Sequence, residues 1–387
     1  MKFKHRAKEN TSSTEVNLDK YYVSRRALKP QASFFIFMLL SLISLGARAE
    51  LKVEQLQSSP DDQGNTQYKF PLITGTPPEI ANNMNLWLQY SRLNSIAGHH
   101  KTSPFENLDG MHGTTALDYK ILDETKSLLT IEFQGEYMGA YPVDATSRTI
   151  FNLGTGQPVQ LVDILTADGA KKLNKHLTNN LQSAIDNFLS HTDQLAPSAD
   201  RPEDDNLNTQ KDIYTHCRED LEDGTLKHVK YTIINKQITL FKSCDFPHMI
   251  QALDDLGEIT YSESFAEIKP DLNAYGNCVL IEANTNCKPE PGVLYDGVYN
   301  GKLGNRAITL LVSRGEFIPI YFSDDEGSPV KLHFKQGEAN SIRFDSYTEH
   351  EHKKPQESFI LKTDNTGVLV GTWQQDGGEI LPVELHQ

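Results

Sequence analysis

From Val293 to Leu385 the sequence breaks into short alternating polar and apolar segments, and this rhythm constrains the fold more than any other feature of the chain. The segments are Val293–Gly301, Ala307–Ser313, Phe317–Phe322, Val330–Lys335, Ser341–Tyr347, Ser358–Thr363, Val368–Trp373 and Glu379–Leu385. Turn formers separate them at Gly304-Asn305, Asp324-Asp325-Glu326-Gly327, Asp364-Asn365 and Asp376-Gly377-Gly378. Alternation over runs this short describes strands, and no helical period interrupts them. Strands in one open sheet leave two exposed edges. The pattern therefore predicts an all-β domain over 289–387, an eight-stranded up-and-down barrel that closes its own edges.

Pro289-Glu290-Pro291-Gly292 marks the start of that domain, and residues 50–288 have a different character. Pro77-Pro78 opens a helix whose apolar residues Ile80, Met84, Trp87 and Leu88 recur at three- and four-residue steps. A second helix is predicted from Asp168 to Ser190, with Leu173, Leu177, Leu181, Ile185, Phe188 and Leu189 as its buried stripe and Thr166 or Asp168 as its cap. Between them, Leu117–Ile121, Leu128–Tyr137 and Arg148–Leu153 read as paired strands, followed by a turn and Val159–Ile164. Gln194–Gln210, rich in Pro, Asp, Asn and Ser, reads as an exposed loop leading to a strand near Tyr214. Val229–Ile234 and Gln237–Phe241 flank Asn235-Lys236 as a hairpin, with a short helix over Phe246–Leu256 and a last strand at Ile259–Ser262. Helix and strand mix without a βαβ rhythm, so this part is predicted to be an α+β domain, a mixed sheet with two main helices.

Phe34 to Ala47 is a largely apolar, uncharged run preceded by Arg25, Arg26 and Lys29, and it ends in Ala47-Arg48-Ala49. Its 14 residues fall short of a bilayer span, and its small-x-small end fits a signal-peptidase site. Residues 1–49 therefore read as a signal peptide with a long polar leader, cleaved after Ala49, and the protein is expected to be periplasmic or secreted. Nine of the 37 basic residues and three of the 52 acids lie in 1–49, which leaves 28 against 49, a net charge of −21. That charge repels phosphate backbones and argues against nucleic acid as a partner. No long apolar segment follows Ala49, so no permanent membrane span is expected in the mature chain.

The four cysteines, Cys217, Cys244, Cys278 and Cys287, all lie beyond the leader. An even count in an exported chain favours disulfides, and of three possible pairings Cys217–Cys244 with Cys278–Cys287 is preferred. No C-x₂-C spacing supports zinc. His350 and His352 would share one face of a strand, a workable pair of metal ligands, but a polar hairpin tip explains them as well. No metal or other cofactor is assigned. His99-His100 with His112 reads as a helix end, and Asp324–Gly327 as a solvated turn. The chain has no Gly-x-Ser-x-Gly elbow and no phosphate-cradling glycine loop, so no catalytic residue is assigned. Tyr137, Met138 and Tyr141, on a glycine-bearing aromatic loop, are the candidate binding residues for a sugar or protein.

The stretch Leu128–Leu165, LLTIEFQGEYMGAYPVDATSRTIFNLGTGQPVQLVDIL, resembles the bacterial envelope domains found in the lysozyme-sensing anti-sigma factor RsiV and ahead of the deacetylase domain of PdaC. The later stretch ITLFKSCDFPHMIQALDDLGEITYSESFAEIKPDL fits the closing strand, helix and strand of that family, and the likeness covers roughly Leu51 to Tyr275. Where the family often reads Gly-Gly-Ala-His, this chain has Gly139-Ala140-Tyr141. Where it reads Asp-Leu-x-Thr-Gly-Lys, this chain has Asn152 to Gln157. The barrel loosely resembles periplasmic lysozyme-inhibitor barrels without their Ser-Gly-x-x-Tyr loop. The resemblance implies an exported, non-enzymatic binding protein of the cell envelope, with a lysozyme-like protein, another envelope protein or peptidoglycan as partner. Two alternatives stay open: a cell-wall or polysaccharide hydrolase whose carboxylates no local motif marks, and a carrier of a small apolar ligand in the barrel.

Overall fold

Alternation breaks down at Ile308-Thr309-Leu310-Leu311-Val312, where three consecutive apolar residues are all buried, and this break shows how the molecule is built. Ile308, Leu310 and Val312 point into the barrel core. Leu311 points the other way, into a core shared with the helix-bearing part of the chain. A strand covered on both faces has no need of polar residues on either.

The computed structural model describes residues 51–59, 67–75, 77–99, 103–105, 113–138, 142–194, 205–220, 226, 229–323, 328–336, 341–348 and 354–387. The predicted leader 1–49, Tyr141, His100, His112, Asp324–Gly327, His350 and His352 lie outside the described residues.

Strands β1 (Leu51–Gln57) and β2 (Lys69–Gly75) pair antiparallel and lead into helix α1 (Pro78–Leu93). Proline at its first turn has no N–H to lose there, and Asn94, left-handed at φ 47°, ends it. Ile80, Met84, Trp87 and Leu88 are all buried, as the spacing predicts. A four-stranded antiparallel sheet follows in the order β3 (Thr114–Glu124), β4 (Leu128–Met138), β5 (Pro142–Asn152), β6 (Gln157–Pro158). Helices α2 (Leu161–Ile164), α3 (Ala167–Gln194) and α4 (Asp205–Glu219) come next. A three-stranded sheet, β7 (Lys230–Ile234), β8 (Gln237–Lys242) and β9 (Ile259–Ser264), packs against α3. The short helices α5 (Phe265–Ile268) and α6 (Ala274–Gly276) complete this α+β part.

Leu173, Leu177, Leu181 and Ile185 bury the inner stripe of α3, and the Gly169 N–H donates to the Thr166 side chain at 3.0 Å as its cap. Leu161–Ile164 forms a helical turn after the Val159 N–H makes the last bond to β5, to the Ile150 carbonyl at 2.8 Å. Two local readings change. Asp205–Glu219 is helical, so Tyr214 sits on a helix and the expected loop ends at its start. The predicted helix over Phe246–Leu256 shortens to a 3₁₀ segment, His248–Leu253.

The remaining strands are β10 (Gly297–Leu303), β11 (Arg306–Val312), β12 (Ile320–Phe322), β13 (Val330–Lys331), β14 (His333–Gln336), β15 (Ile342–Ser346), β16 (Glu357–Thr363), β17 (Leu369–Gln375) and β18 (Ile380–His386). They form a nine-stranded antiparallel sheet whose two outermost members are β13 and β14. Only Leu332 separates those two in sequence. Its N–H donates to the Pro319 carbonyl at 2.7 Å. The ends of the sheet thus meet on one segment, the single predicted strand Val330–Lys335, broken at its middle. Tyr299, Leu310, Phe344, Phe359, Leu361, Leu369 and Leu385 fill the interior. An eight-strand circumference is just wide enough for such side chains.

The turn Asn152–Pro158 shows why its glycines are fixed. A Cβ on Gly154 would lie 1.6 Å from the Thr285 carbonyl, and Gly156, at φ +70°, would meet the Ile80 carbonyl at 2.2 Å. At this turn the main chain of α1 and of the segment before the barrel lies directly against the link between β5 and β6. Gly154→Ala is expected to lower stability by about 1–3 kcal/mol, read by urea unfolding, because two main-chain segments must separate. An unchanged midpoint would contradict this packing.

Candidate functional site

Gln157 joins the two parts of the chain by acting as a strand partner. Its side-chain amide donates to the Val298 carbonyl and its oxygen accepts from the Val298 N–H, each at 2.8 Å. Beside this junction the barrel sends a tight turn, Ser313–Phe317, towards α1. The Ser313 hydroxyl accepts from the N–H groups of Glu316 at 2.8 Å and Phe317 at 3.3 Å, which fixes the turn. Phe317 then packs against Trp87 and Tyr90, with ring centroids 4.8 and 5.1 Å apart.

Arg314 crosses the junction. Its Nη2 donates to both carboxylate oxygens of Asp163 in α2, at 2.7 and 2.8 Å, and its Nε donates to Asp296 at 2.6 Å. Two carboxylates, only 4% and 6% exposed, share one guanidinium. Burial pushes the Asp163 carboxyl up to about 6 against the pull of Arg314, and the negative charge of Asp296 adds to the rise. Arg314 itself is held above its ordinary range, because the two aspartates outweigh the burial that opposes its charge.

Next to this triad lies a cleft of about 670 Å³. Its lining includes five consecutive residues of β5, Thr146 to Ile150, and the turn residues Arg314-Gly315-Glu316. Pro158, Val159, Val162 and Val229 give it an apolar floor, together with Tyr231, whose hydroxyl donates to the Val159 carbonyl. Complete burial raises the Tyr231 phenol well above its usual range, so it stays neutral.

Three arginines line the cleft, from α1, β5 and the barrel turn. Arg92 pairs with Glu316 at 2.5 Å and donates to the Thr149 hydroxyl at 3.2 Å. Arg148 donates through Nε to Glu132 at 2.9 Å, lies 3.5 Å from Glu258 through Nη1, and stacks over Phe241 at 4.1 Å. Lys230 also reaches Glu258, at 3.0 Å. A guanidinium has five N–H donors. Among the described residues neither the buried Nη1 of Arg148 nor the buried Nε of Arg92 has a hydrogen-bond partner. Each of these cations is held by a carboxylate, which fixes its place in the cleft lining.

The sequence-predicted candidates lie elsewhere. Tyr137 is half-buried, with its ring folded along the strand over Gly135, and Met138 is exposed at the end of β4. Neither lines the cleft. Both cysteine pairs are joined, Cys217 to Cys244 and Cys278 to Cys287. Among the described residues no group of three His, Cys, Asp or Glu is placed to hold a metal ion. Arg92, Arg148, Arg314, Asp163 and Asp296 were not singled out from sequence. The one available signal was Asp163, a lone acid inside the apolar run Leu161–Leu165.

Fold and site together define an α+β lobe joined to a meander barrel, with a cation-lined cleft at the join. No family model and no curated protein matches the sequence. Among solved structures, a member of the DUF3298 family from Bacteroides fragilis NCTC 9343 aligns at 12% identity and a TM-score of 0.37, over 62% of this chain and 98% of that one. A DUF3298 family protein from Pseudomonas aeruginosa PAO1 aligns at 13% identity and a TM-score of 0.34, over 59% and 96%. Among the described residues no helix is long and apolar enough to cross a membrane.

Proposed function

We propose that this is an exported, non-enzymatic binding protein of the bacterial envelope, and that the cleft at the lobe–barrel junction holds its ligand. The observation that carries the reading is the mixed lining of the cleft, where Arg148 and Lys230 stand beside Val159, Val162 and Val229. Such a lining suits a ligand that offers both polar oxygens and apolar groups. Two disulfides suit an oxidising compartment. The likeness of Leu128–Leu165 to lysozyme-sensing envelope domains supports recognition rather than turnover. The filled barrel interior leaves the cleft as the better place for a ligand than the barrel axis.

The test is titration of the disulfide-bonded protein with soluble muropeptides and with short acidic peptides, at low and high salt. Binding should weaken about tenfold in Arg148→Gln and decline with salt as exposed charges are screened. Binding that ignores every cleft substitution would refute the reading. Release of soluble fragments from labelled peptidoglycan would replace it with the hydrolase alternative.

A further inference from the structure

We propose that the lobe–barrel junction is a proton-operated clasp: one proton taken up by the Asp163–Arg314–Asp296 cluster fastens the barrel to α2, and its release loosens them. This holds whatever the cleft binds.

The first ground is where the cluster sits. Asp163 belongs to α2 of the lobe, whereas Arg314 and Asp296 belong to the barrel, on the turn after β11 and the segment before β10. The barrel side is held together by itself, because the Arg314 N–H also donates to Asp296, at 3.0 Å. The bonds from Arg314 Nη2 to Asp163 therefore cross from one part to the other. Among the described residues Arg92–Glu316 is the other ion pair that crosses the junction. Its acid is 23% exposed, against 4% for Asp163, so Asp163 is the crossing acid that burial acts on most.

The second ground is how the charge is divided. Both oxygens of Asp163 take their bonds from a single nitrogen, and the same guanidinium serves Asp296. Burial penalises each ionised carboxylate, and each acid penalises the other. A proton on Asp163 leaves Arg314 to Asp296, and the neutral acid keeps both donor and acceptor capacity. The Asp163 carboxyl is accordingly pushed up to about 6, first by burial.

The neighbouring groups leave this proton to Asp163. Tyr231 of β7, Tyr275 of α6, Tyr295 and Tyr299 all feel its charge, and burial holds all four phenols above their usual range. Glu316 is held by Arg92, and Lys230 of β7 by Glu258. On the far side of Asp296, the exposed Lys288 and His386 of β18 line a cavity of about 440 Å³. The His386 ring pairs with Glu384 at 3.1 Å.

The sign follows from the two states. When the junction opens, Asp163 meets water and returns to the ordinary value of about 3.9. Between that pH and about 6 the closed junction binds more protons than the open one. Closure is therefore favoured by acid and weakens as pH rises through about 6. Such a device suits a protein outside the cytoplasm, where pH is not held constant.

The reporter is the Val298 amide, which is buried and donates to the Gln157 side chain across the junction at 2.8 Å. Its hydrogen exchange is followed by NMR in the full disulfide-bonded protein at pH 5 and pH 7, corrected for intrinsic amide chemistry. The junction should open about tenfold more often at pH 7 than at pH 5. Asp163→Asn should remove that change, and His386→Asn should leave it intact. Asp296→Asn should shrink it, and serves if Asp163→Asn does not fold. Carboxyl carbon-13 NMR of the unmodified sequence reads the proton directly, as one aspartate that titrates near pH 6. Aspartates that all titrate near about 3.9 would overturn the clasp. So would a change at Val298 that survives Asp163→Asn or vanishes in His386→Asn. Val298 protection equal to that of the slowest β16 amides would also overturn it, because the junction would then part only on global unfolding. None of these readings involves a ligand, so the clasp and the cleft reading fail separately.

Discussion

Arg314→Met is expected to lower stability by about 3–5 kcal/mol at neutral pH, because it removes the guanidinium that two buried carboxylates share. Asp163 and Asp296 are 4% and 6% exposed, and Arg314 supplies donors to both. Methionine keeps most of the side-chain volume, so the loss reports charge rather than a cavity. The loss should also depend on pH, with a sign that follows from Asp163. Its folded-state pKa, about 6, lies above the unfolded value of about 3.9. Between those two values the folded state binds more protons than the unfolded state. This group's contribution to stability therefore falls as pH rises through that window. Removing Arg314 removes the pull that opposes the rise, so the window widens upward and the deficit grows towards neutrality. Urea unfolding at pH 5 and pH 7 should show the smaller loss at pH 5. Adding Asp163→Asn to Arg314→Met should recover part of the loss at pH 7 and little at pH 5. A pH-independent deficit, or one below about 1 kcal/mol, would mean that the triad does not hold the junction.

The contrast between what the sequence discloses and what it hides is physical. The hairpin of β7 and β8 is legible because Asn235 and Lys236, at φ 52° and 61°, are the two left-handed positions of a primed turn, and asparagine tolerates that region. The barrel is legible because each strand carries its own alternation and its own turn residues. Helix α4 is not, although Gln210, Tyr214 and Cys217 recur at helical steps and Tyr214 is fully buried. Its partners, Phe188 and Phe246, lie on other elements, and the polar residues around it dominate any local window. The cleft is hidden for a stronger reason. Arg314 and Asp163 are 151 residues apart, and Arg92 and Arg148 stand on different elements again. Each arginine in isolation reads as a solvated charge. Only the packing of the barrel turn on α1 brings them to one surface, and packing is a property of the whole chain. The double-faced burial of Ile308–Val312 was the nearest sequence trace of that contact. It marks that two parts meet without saying which residues they meet.

Loss of the two disulfides should be the largest single change available to this protein, and it should act unevenly. Cys217–Cys244 spans 27 residues and Cys278–Cys287 spans 9. Loop-closure entropy assigns them about 3.5 and about 2.6 kcal/mol. The two lie in separate clusters, so their effects should add to about 6 kcal/mol, comparable with the whole stability of many domains. The longer bridge secures α4 to the end of β8 over a small cluster of Leu181, Ile185, Tyr214 and Phe246. That cluster is too limited to hold a helix of this size by burial alone. In Cys217→Ala/Cys244→Ala, the α4 amides should therefore exchange with solvent well before those of β4 and β5, as subglobal opening. The shorter bridge holds Thr285 against Gly154, so Cys278→Ala/Cys287→Ala should instead loosen the turn Asn152–Pro158 and, through it, the Gln157 link to Val298. Hydrogen exchange read by mass spectrometry separates the two effects. Uniform loss of protection across α4 and β5 in either variant would show that the bridges act only on the unfolded chain, with no local region depending on either one.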